Sequence, residues 1–170
     1  MLEKELTGHT RKVKGATLLP DGQTALSWSF DTSLRLWDLG AGAEKQALTG
    51  HTRAVWGATL LPDGQTALSW SDDKSLRLWD LGTGAEKQAL TGHTGPVYGI
   101  TLLPDGETAL SWSDKSLRLW DLATGAEKHK LTGHTGSVKG ATLAPDAKTA
   151  LSWDDKSLRL WDLATGAEEQ

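Results

Sequence analysis

Residues 50–80 read GHTRAVWGATLLPDGQTALSWSDDKSLRLWD, a stretch that starts with Gly-His and ends with Trp-Asp. The same pattern recurs at 8–38, 92–121 and 133–162, so the chain consists of copies of one unit about 42 residues long. A repeat of this period is typically one supersecondary unit that cannot bury its apolar side alone. The sequence therefore predicts four structural units that stack on one another.

The residues within one unit predict short β-strands. Polar and apolar residues alternate, and the stretches are separated by turn residues, as in half-buried strands. Pro20 fixes φ and Gly22 accepts a positive φ, so a tight turn is expected between the first two strands. The outer strand is rich in Glu and Lys, which discourage edge-to-edge pairing. The predicted strands of the first unit are 13–18, 24–29, 33–37 and 44–48.

The Gly-His and Trp-Asp pairs at the two ends of each unit resemble the WD40 repeat family. The resemblance implies an all-β fold, a β-propeller in which each unit is one four-stranded antiparallel blade. On this alignment the repeat units are 7–48, 49–90, 91–131 and 132–170.

The number of units predicts assembly, because the resemblance implies rings of seven or eight blades. Aligning the Gly-His pairs places residues 2–6 in register with the end of an outer strand. We therefore expect residues 2–6 to complete the last blade of a partner chain, and two chains to form one eight-bladed ring as a homodimer. Closure within one chain would instead demand a ring of four blades.

Each unit contains a Ser, a His and an Asp, the residue types of a hydrolase triad. The resemblance implies a different role, a buried hydrogen-bonded tetrad that fastens the blade with a Trp as fourth member. We favour this structural role, because every blade must satisfy its buried polar groups whereas four copies of a catalytic site would be unusual. The implied tetrads are His9, Ser27, Asp31, Trp37; His51, Ser69, Asp73, Trp79; His93, Ser111, Asp114, Trp120; and His134, Ser152, Asp155, Trp161.

The units differ from one another mainly at the start of the first strand and in the turn between the second and third strands. The resemblance implies that these positions surround the channel on the top face, where partners bind. Aromatic and arginine side chains are common anchors of protein interfaces. Neutral drift at exposed positions would give the same pattern, so both interpretations stay open. The candidate partner-binding residues are Lys12, Lys14, Phe30, Arg53, Trp56, Tyr98 and Lys139.

Each second strand carries a Trp where the family usually has a small residue. We expect these indoles to pack between adjacent blades, since aromatic rings bury a large area. The alternative is an aromatic ring near the channel mouth that contacts ligands. The four residues are Trp28, Trp70, Trp112 and Trp153.

The composition of the chain disfavours several classes of function. The net charge of −4 gives no general attraction to nucleic acid or to anionic membranes, and no apolar run is long enough to span a bilayer. The chain has no cysteine, hence no disulfide or thiolate metal site. No acid pair, metal cluster or glycine-rich phosphate loop stands outside the repeats, so we expect no cofactor, no metal and no enzymatic activity.

Two functional hypotheses follow. We expect a cytoplasmic, non-catalytic scaffold that self-assembles into a closed propeller and presents its top-face rim to a peptide or protein. The alternative is an engineered or excised repeat protein whose only property is symmetric self-assembly, with no natural ligand.

Overall fold

The computed structural model describes residues 3–169, in which fifteen β-strands are arranged in chain order. Leu2, part of the predicted closing segment 2–6, and Gln170, part of the last repeat unit, lie outside the described residues. The strands are β1 (Val13–Leu18), β2 (Thr24–Ser29), β3 (Leu34–Asp38), β4 (Ala43–Leu48), β5 (Val55–Leu60), β6 (Thr66–Ser71), β7 (Ser75–Asp80), β8 (Glu86–Thr91), β9 (Gly99–Leu102), β10 (Thr108–Trp112), β11 (Ser116–Asp121), β12 (Glu127–Thr132), β13 (Gly140–Leu143), β14 (Thr149–Trp153) and β15 (Leu158–Asp162).

Sequential strands pair antiparallel to form four separate sheets, which we call blades 1 to 4. Blades 1, 2 and 3 contain β1–β4, β5–β8 and β9–β12, while blade 4 contains β13–β15. An isolated bridge between Trp161 and Glu168 adds a short pairing beside β15. The predicted all-β fold of antiparallel blades is confirmed.

The chain forms two compact halves, divided between Ala89 and Leu90. Blade 1 and blade 2 up to Ala89 in β8 belong to the first half, and the end of β8 belongs with blades 3 and 4 to the second.

A hydrophobic core joins the two blades of the first half. The leucines of blade 1 form what we call its rear face, and they meet the front face of blade 2. Burying one such side chain contributes roughly 1.5 to 3 kcal/mol, so this interface is a main source of stability. The buried residues of this core are Leu26, Leu34, Leu36 and Leu48 on the rear face, and Val55, Ala58, Ala67, Trp79 and Leu81 on the front face.

The second half repeats the same interface with equivalent residues. Its core contains Leu110, Leu117, Leu119 and Leu131 from the rear face of blade 3, and Val138, Ala150, Trp161 and Leu163 from the front face of blade 4. One leucine-rich face and one face of Val, Ala and Trp therefore define each described blade interface.

The tryptophan of each second strand lies on a glycine of the neighbouring first strand. Gly57 pairs with Trp70, and a Cβ atom added to Gly57 would lie 2.0 Å from the indole. Trp28 and Trp112 also pack against the cores of their halves. The Gly-Trp pair, which the sequence interpretation missed, lets a large indole fit where the backbones of the two strands are close.

The turn between the first two strands is held by an aspartate. Oδ1 of Asp21 accepts the backbone N–H groups of Gln23 and Thr24, and Oδ2 accepts the Thr24 hydroxyl. These hydrogen bonds lower the pKa of Asp21 below its ordinary value, with the Gln23 N–H contributing most. Gly22 adopts a φ of 67°, as the sequence predicts for this turn.

Candidate functional site

A chain of hydrogen bonds crosses blade 1 from the segment before β1 to β3. The His9 Nδ1 lies 2.7 Å from Asp31 Oδ2, and His9 Nε2 lies 2.7 Å from Ser27 Oγ. The Trp37 indole N–H donates to the same Ser27 Oγ at 2.8 Å. An indole nitrogen can only donate and an ionised carboxylate can only accept, so Ser27 Oγ accepts from Trp37 and Asp31 accepts from His9 Nδ1–H, while His9 Nε2 and Ser27 Oγ share the remaining hydrogen bond.

Blade 2 contains the same network. His51 lies 2.8 Å from Asp73 and 2.7 Å from Ser69, and Trp79 donates to Ser69 at 2.8 Å. The order Asp, His, Ser is that of a hydrolase triad, but Ser69 is fully buried and already receives the indole N–H. A serine enclosed in this way has no approach for a substrate, so the network fastens the blade.

The carboxylates of these networks have strongly lowered pKa values. Burial raises the pKa of Asp31, but hydrogen bonds from Ser33, His9 and Thr10 outweigh burial and hold the pKa well below its usual range. Burial also raises the pKa of Asp73, and hydrogen bonds, the strongest from His51, again outweigh burial and lower the pKa. Both carboxylates are therefore ionised acceptors at neutral pH.

Blade 4 uses a different aspartate from the one predicted. His134 Nδ1 lies 3.0 Å from Asp154, while Asp155 is exposed and lies 3.6 Å from the Lys139 ammonium. The prediction of Asp155 as tetrad member was wrong. The turn after β14 is one residue shorter than in blades 1 and 2, so its first residue now faces the histidine. His134 Nε2 and the Trp161 indole both contact Ser152 at 2.7 Å.

Blade 3 lacks a tetrad carboxylate, and the prediction of Asp114 in this role was wrong. Ser113 stands at the position equivalent to Asp154, and its hydroxyl donates to the Pro96 carbonyl at 2.7 Å. Asp114 instead accepts the Tyr98 hydroxyl at 3.1 Å. Comparing Ser113-Asp114 with Asp154-Asp155 in the sequence would have revealed this difference.

The absence of that carboxylate leaves His93 incompletely paired. His93 Nε2 contacts Ser111 at 2.7 Å, and Trp120 donates to the same serine at 2.8 Å. Its Nδ1 atom is buried without a hydrogen-bond partner among residues 3–169. Burial, together with the positive charges of Arg118 and Lys130, lowers the pKa of His93 to about 3. His93 is therefore neutral at physiological pH.

Three of the predicted partner-binding residues form one cluster at the junction of blades 1 and 2. The Lys14 ammonium lies 4.8 Å from the centre of the Trp56 ring and 5.3 Å from that of Phe30. The two rings meet edge to face at 5.0 Å, and the Trp56 indole donates to Asp72 at 2.6 Å. Cation–π and edge-to-face contacts hold this cluster in a defined arrangement.

The other predicted partner-binding residues lie on the surface of their own halves. Lys12 and Arg53 are exposed in the first half. In the second half, Tyr98 and Lys139 are exposed and line one pocket together with Val138. The structure thus groups Lys14 with Phe30 and Trp56, and Tyr98 with Lys139.

No group of three or more His, Asp or Glu side chains within residues 3–169 is placed to hold a metal ion. In the same range, no helix is long and apolar enough to cross a membrane.

Comparison with known proteins finds relatives that are similar to this chain over short stretches. Small ribosomal subunit protein RACK1 of Medicago sativa is 56% identical over 39 residues, which are 23% of this chain and 12% of that protein. Cross-pathway control WD-repeat protein 2 of Flammulina velutipes is 55% identical over 38 residues, 22% of this chain and 12% of that protein. RACK1 of Drosophila melanogaster is 50% identical over 40 residues, 24% of this chain and 13% of that protein. The similarity to each relative therefore covers a small part of its length.

The family model described as "WD domain, G-beta repeat" matches residues 1–38, 42–80, 84–121 and 125–162. These matches cover most of the chain, and each includes the histidine, serine and tryptophan of one network. The chain belongs to the WD40 repeat family.

Proposed function

We propose that this chain is a non-catalytic scaffold that binds a peptide or protein through the variable residues Lys12, Lys14, Phe30, Arg53, Trp56, Tyr98 and Lys139. The observation that carries the proposal is the exposure of Trp56 and Tyr98 on blades whose surrounding residues are nearly constant between repeats. Large aromatic side chains at the centre of an interface supply much of its binding energy.

The contacts of the aromatic residues support this role. Lys14, Phe30 and Trp56 hold one another in place, so a partner meets a surface that loses little conformational entropy on binding. The buried tetrad serines supply no accessible nucleophile, which favours binding over hydrolysis.

We also propose that two chains form one eight-bladed ring, in which the variable residues of both surround the channel on one face. The proposed location is the cytoplasm, and the naming of the RACK1 relatives as small ribosomal subunit proteins supports it. Nothing in the comparisons supports the alternative of a repeat protein whose only property is self-assembly.

The binding role is tested with a displayed library of random 12-residue peptides selected on the wild-type protein. We expect Trp56→Ala and Tyr98→Ala to weaken the selected peptides by about 1 kcal/mol or more, roughly fivefold in Kd, in isothermal titration calorimetry. Gln23→Ala, at an exposed position of the β1–β2 turn, is the matched control and should leave Kd unchanged. Failure to select peptides, or equal Kd values for all three variants, would contradict the proposal.

A further inference from the structure

The six arginines of the chain fall into two groups. Arg11 and Arg53 precede β1 and β5, are exposed, and form no ion pair among residues 3–169. An exposed guanidinium without a counter-charge can form two parallel hydrogen bonds with a carboxylate. The other four lie on the third strands and each pairs with a glutamate, Arg35 with Glu44, Arg77 with Glu86, Arg118 with Glu127 and Arg159 with Glu168.

Three lysines accompany the two unpaired arginines. Lys12 and Lys74 are exposed and Lys14 is half-buried against aromatic rings. Within residues 3–169, these lysines also take part in no ion pair. We call Arg11, Lys12, Lys14, Arg53 and Lys74 the basic patch.

Hydrogen bonds fix the first part of the basic patch to the β2–β3 turn of blade 1. The Phe30 N–H donates to the Lys12 carbonyl at 2.9 Å. The Ser29 hydroxyl donates to the Arg11 carbonyl at 3.2 Å. The two cations therefore start from a backbone that is held in place.

Blade 2 holds the second part of the basic patch in the same way. The Asp72 N–H donates to the Ala54 carbonyl at 3.1 Å, and the Ser71 hydroxyl donates to the Arg53 carbonyl at 3.2 Å. The Lys74 N–H donates to the Ser71 carbonyl at 3.3 Å, within the β6–β7 turn. Arg53 and Lys74 thus belong to one end of blade 2.

Two β-bulges aim the side chains that join the blades. The register of β1 against β2 shifts on either side of Lys14, and that of β5 against β6 shifts on either side of Trp56. Bulges are frequent beside functional sites, because the extra residue is left unpaired and its side chain is re-aimed. Lys14 and Trp56 meet Phe30, so the ends of blades 1 and 2 that carry the basic patch form one surface.

The acidic side chains of the same two turns do not neutralise the basic patch. Asp31 and Asp73 each accept a hydrogen bond from a tetrad histidine. Asp72 accepts the Trp56 indole N–H at 2.6 Å. Because these carboxylates are engaged, the positive charge of the basic patch is available to a partner.

The second half does not reproduce this surface. Gly95 and Gly136 stand at the positions of Arg11 and Arg53. Lys139, the equivalent of Lys14, lies 3.6 Å from the Asp155 carboxylate. The basic patch is therefore a feature of blades 1 and 2 and not of the repeat.

The charge of the whole chain limits the size of the partner. The net charge is −4 even with the basic patch included, so the rest of the chain is strongly acidic. A long polyanion such as nucleic acid would extend beyond the basic patch onto a surface that repels it. A short acidic peptide segment can end where the positive charge ends.

Trp56 adds an apolar requirement to this charge requirement. Its side chain is 36% exposed, and its N–H already donates to Asp72. The part of the indole that remains for a partner is the apolar ring, which is paired with Phe30 at 5.0 Å. An apolar side chain next to the carboxylates fits this ring pair.

We infer that the basic patch binds an acidic segment of a partner protein, whose carboxylates pair with the patch and whose neighbouring apolar side chain packs on Trp56 and Phe30. This inference rests on the proposed function. It extends the proposed site by Arg11 and Lys74 and adds the charge of the partner. Because exposed ion pairs are screened by salt, binding weakens as ionic strength rises.

The charge of the partner is tested with a fluorescent nine-residue peptide of Asp and Glu with one central Leu. The control peptide has Asn and Gln in place of every Asp and Glu. In fluorescence anisotropy at low salt, we expect the acidic peptide to bind the wild type about tenfold more tightly or better, and to lose affinity in 0.5 M NaCl. Equal affinity for the two peptides, or binding of the acidic peptide that salt does not weaken, would overturn the inference.

The location of the site is tested with paired charge reversals. Arg11→Glu with Arg53→Glu should raise the Kd of the acidic peptide about tenfold or more. Lys115→Glu with Lys156→Glu changes the net charge equally at exposed sites of the second half and should change Kd by less than about twofold. Equal weakening by both pairs would show a general charge effect and overturn the inference.

A charge swap keeps the test independent of lost folding. A peptide of Lys with one central Leu should bind the Arg11→Glu, Arg53→Glu variant more tightly than it binds the wild type, because only a folded surface of reversed charge gains this affinity. No gain in a variant with unchanged circular dichroism would contradict the assignment.

Two further measurements separate the alternatives. A labelled nine-residue oligothymidylate that binds more tightly than the acidic peptide would overturn the inference in favour of nucleic acid. Neutral peptides that are selected from the random library and depend on Trp56, together with no binding of the acidic peptide, would overturn this inference and leave the proposed function standing. If no peptide of either kind binds, both are overturned.

Discussion

At the scale of single residues, Ser113 distinguishes blade 3 from blade 4, whose turn has the same length. The equivalent Asp154 contacts His134 and also accepts the backbone N–H groups of Lys156 and Ser157. Blade 3 keeps the same turn length but has no carboxylate at this point, so the buried Nδ1 of His93 is left without a described acceptor. A buried polar atom without a hydrogen-bond partner lowers the free energy of unfolding by about 1 to 3 kcal/mol.

We expect Ser113→Asp to raise the free energy of unfolding by about 1 to 3 kcal/mol, because the new carboxylate accepts the His93 N–H. Urea unfolding followed by circular dichroism measures the change. The reverse change in blade 4, Asp154→Ser, is the matched control and should lower stability by a comparable amount. An unchanged or less stable Ser113→Asp protein would contradict this assignment.

The pH dependence of stability offers a second measurement on His93. Its pKa is lowered by burial to about 3 in the folded chain, from 6.5 for an unperturbed histidine, so between these values the unfolded chain binds a proton that the folded chain does not. The contribution of His93 to the free energy of unfolding is therefore complete above pH 6.5 and is lost as the pH drops toward 3. Ser113→Asp raises the folded pKa, and we expect a smaller loss of stability between pH 7 and pH 5. Equal losses in wild type and variant would contradict the expectation.

At the scale of secondary-structure elements, the turn between the first two strands is the same in every blade except the last. Gly22, Gly64 and Gly106 have φ values of 67°, 66° and 70°, whereas blade 4 has Ala147 at a φ of 56°. A residue with a Cβ atom is strained by roughly 1 to 2 kcal/mol in this left-handed conformation. The turn thus keeps its shape in blade 4 at the expense of stability.

We expect Ala147→Gly to raise the free energy of unfolding by about 0.5 to 1 kcal/mol, since the relief of strain exceeds the added flexibility of glycine in the unfolded chain. Thermal unfolding measures the shift in Tm. Gly22→Ala is the control. An added Cβ at Gly22 would have no atom within 4 Å, so the left-handed φ is the only source of strain, and we expect the variant to be less stable. A lower Tm for Ala147→Gly would show that the turn is not strained.

At the scale of the whole molecule, the proposed ring of two chains links folding to association. In one chain Leu158 is 69% exposed and Leu160 is 45% exposed. Covering them in the proposed two-chain ring would make the ring more stable than the separate chain. We expect Tm to rise with protein concentration in differential scanning calorimetry. The Leu158→Glu, Leu160→Glu variant should have a lower Tm that does not depend on concentration. A wild-type Tm independent of concentration would contradict the linkage.

The sequence alone determined the four repeats, the family and the approximate strands, because these depend on local features. Alternation places strands, and Pro and Gly place turns, without knowledge of neighbouring blades. The third strand of blade 1, for example, was predicted at 33–37 and is found at Leu34–Asp38.

Only the tertiary structure decided which carboxylate reaches each histidine and which faces are buried. A hydrogen bond depends on differences of less than an ångström, and the shortened turns of blades 3 and 4 redirect their first residues, so Asp154 contacts His134 while Asp155 faces solvent. The exposure of Leu158 likewise depends on whether another blade covers it, since its sequence neighbours match those of buried Leu117. Local sequence fixes the conformation of one blade, whereas burial and pairing depend on the atoms that other segments bring to it.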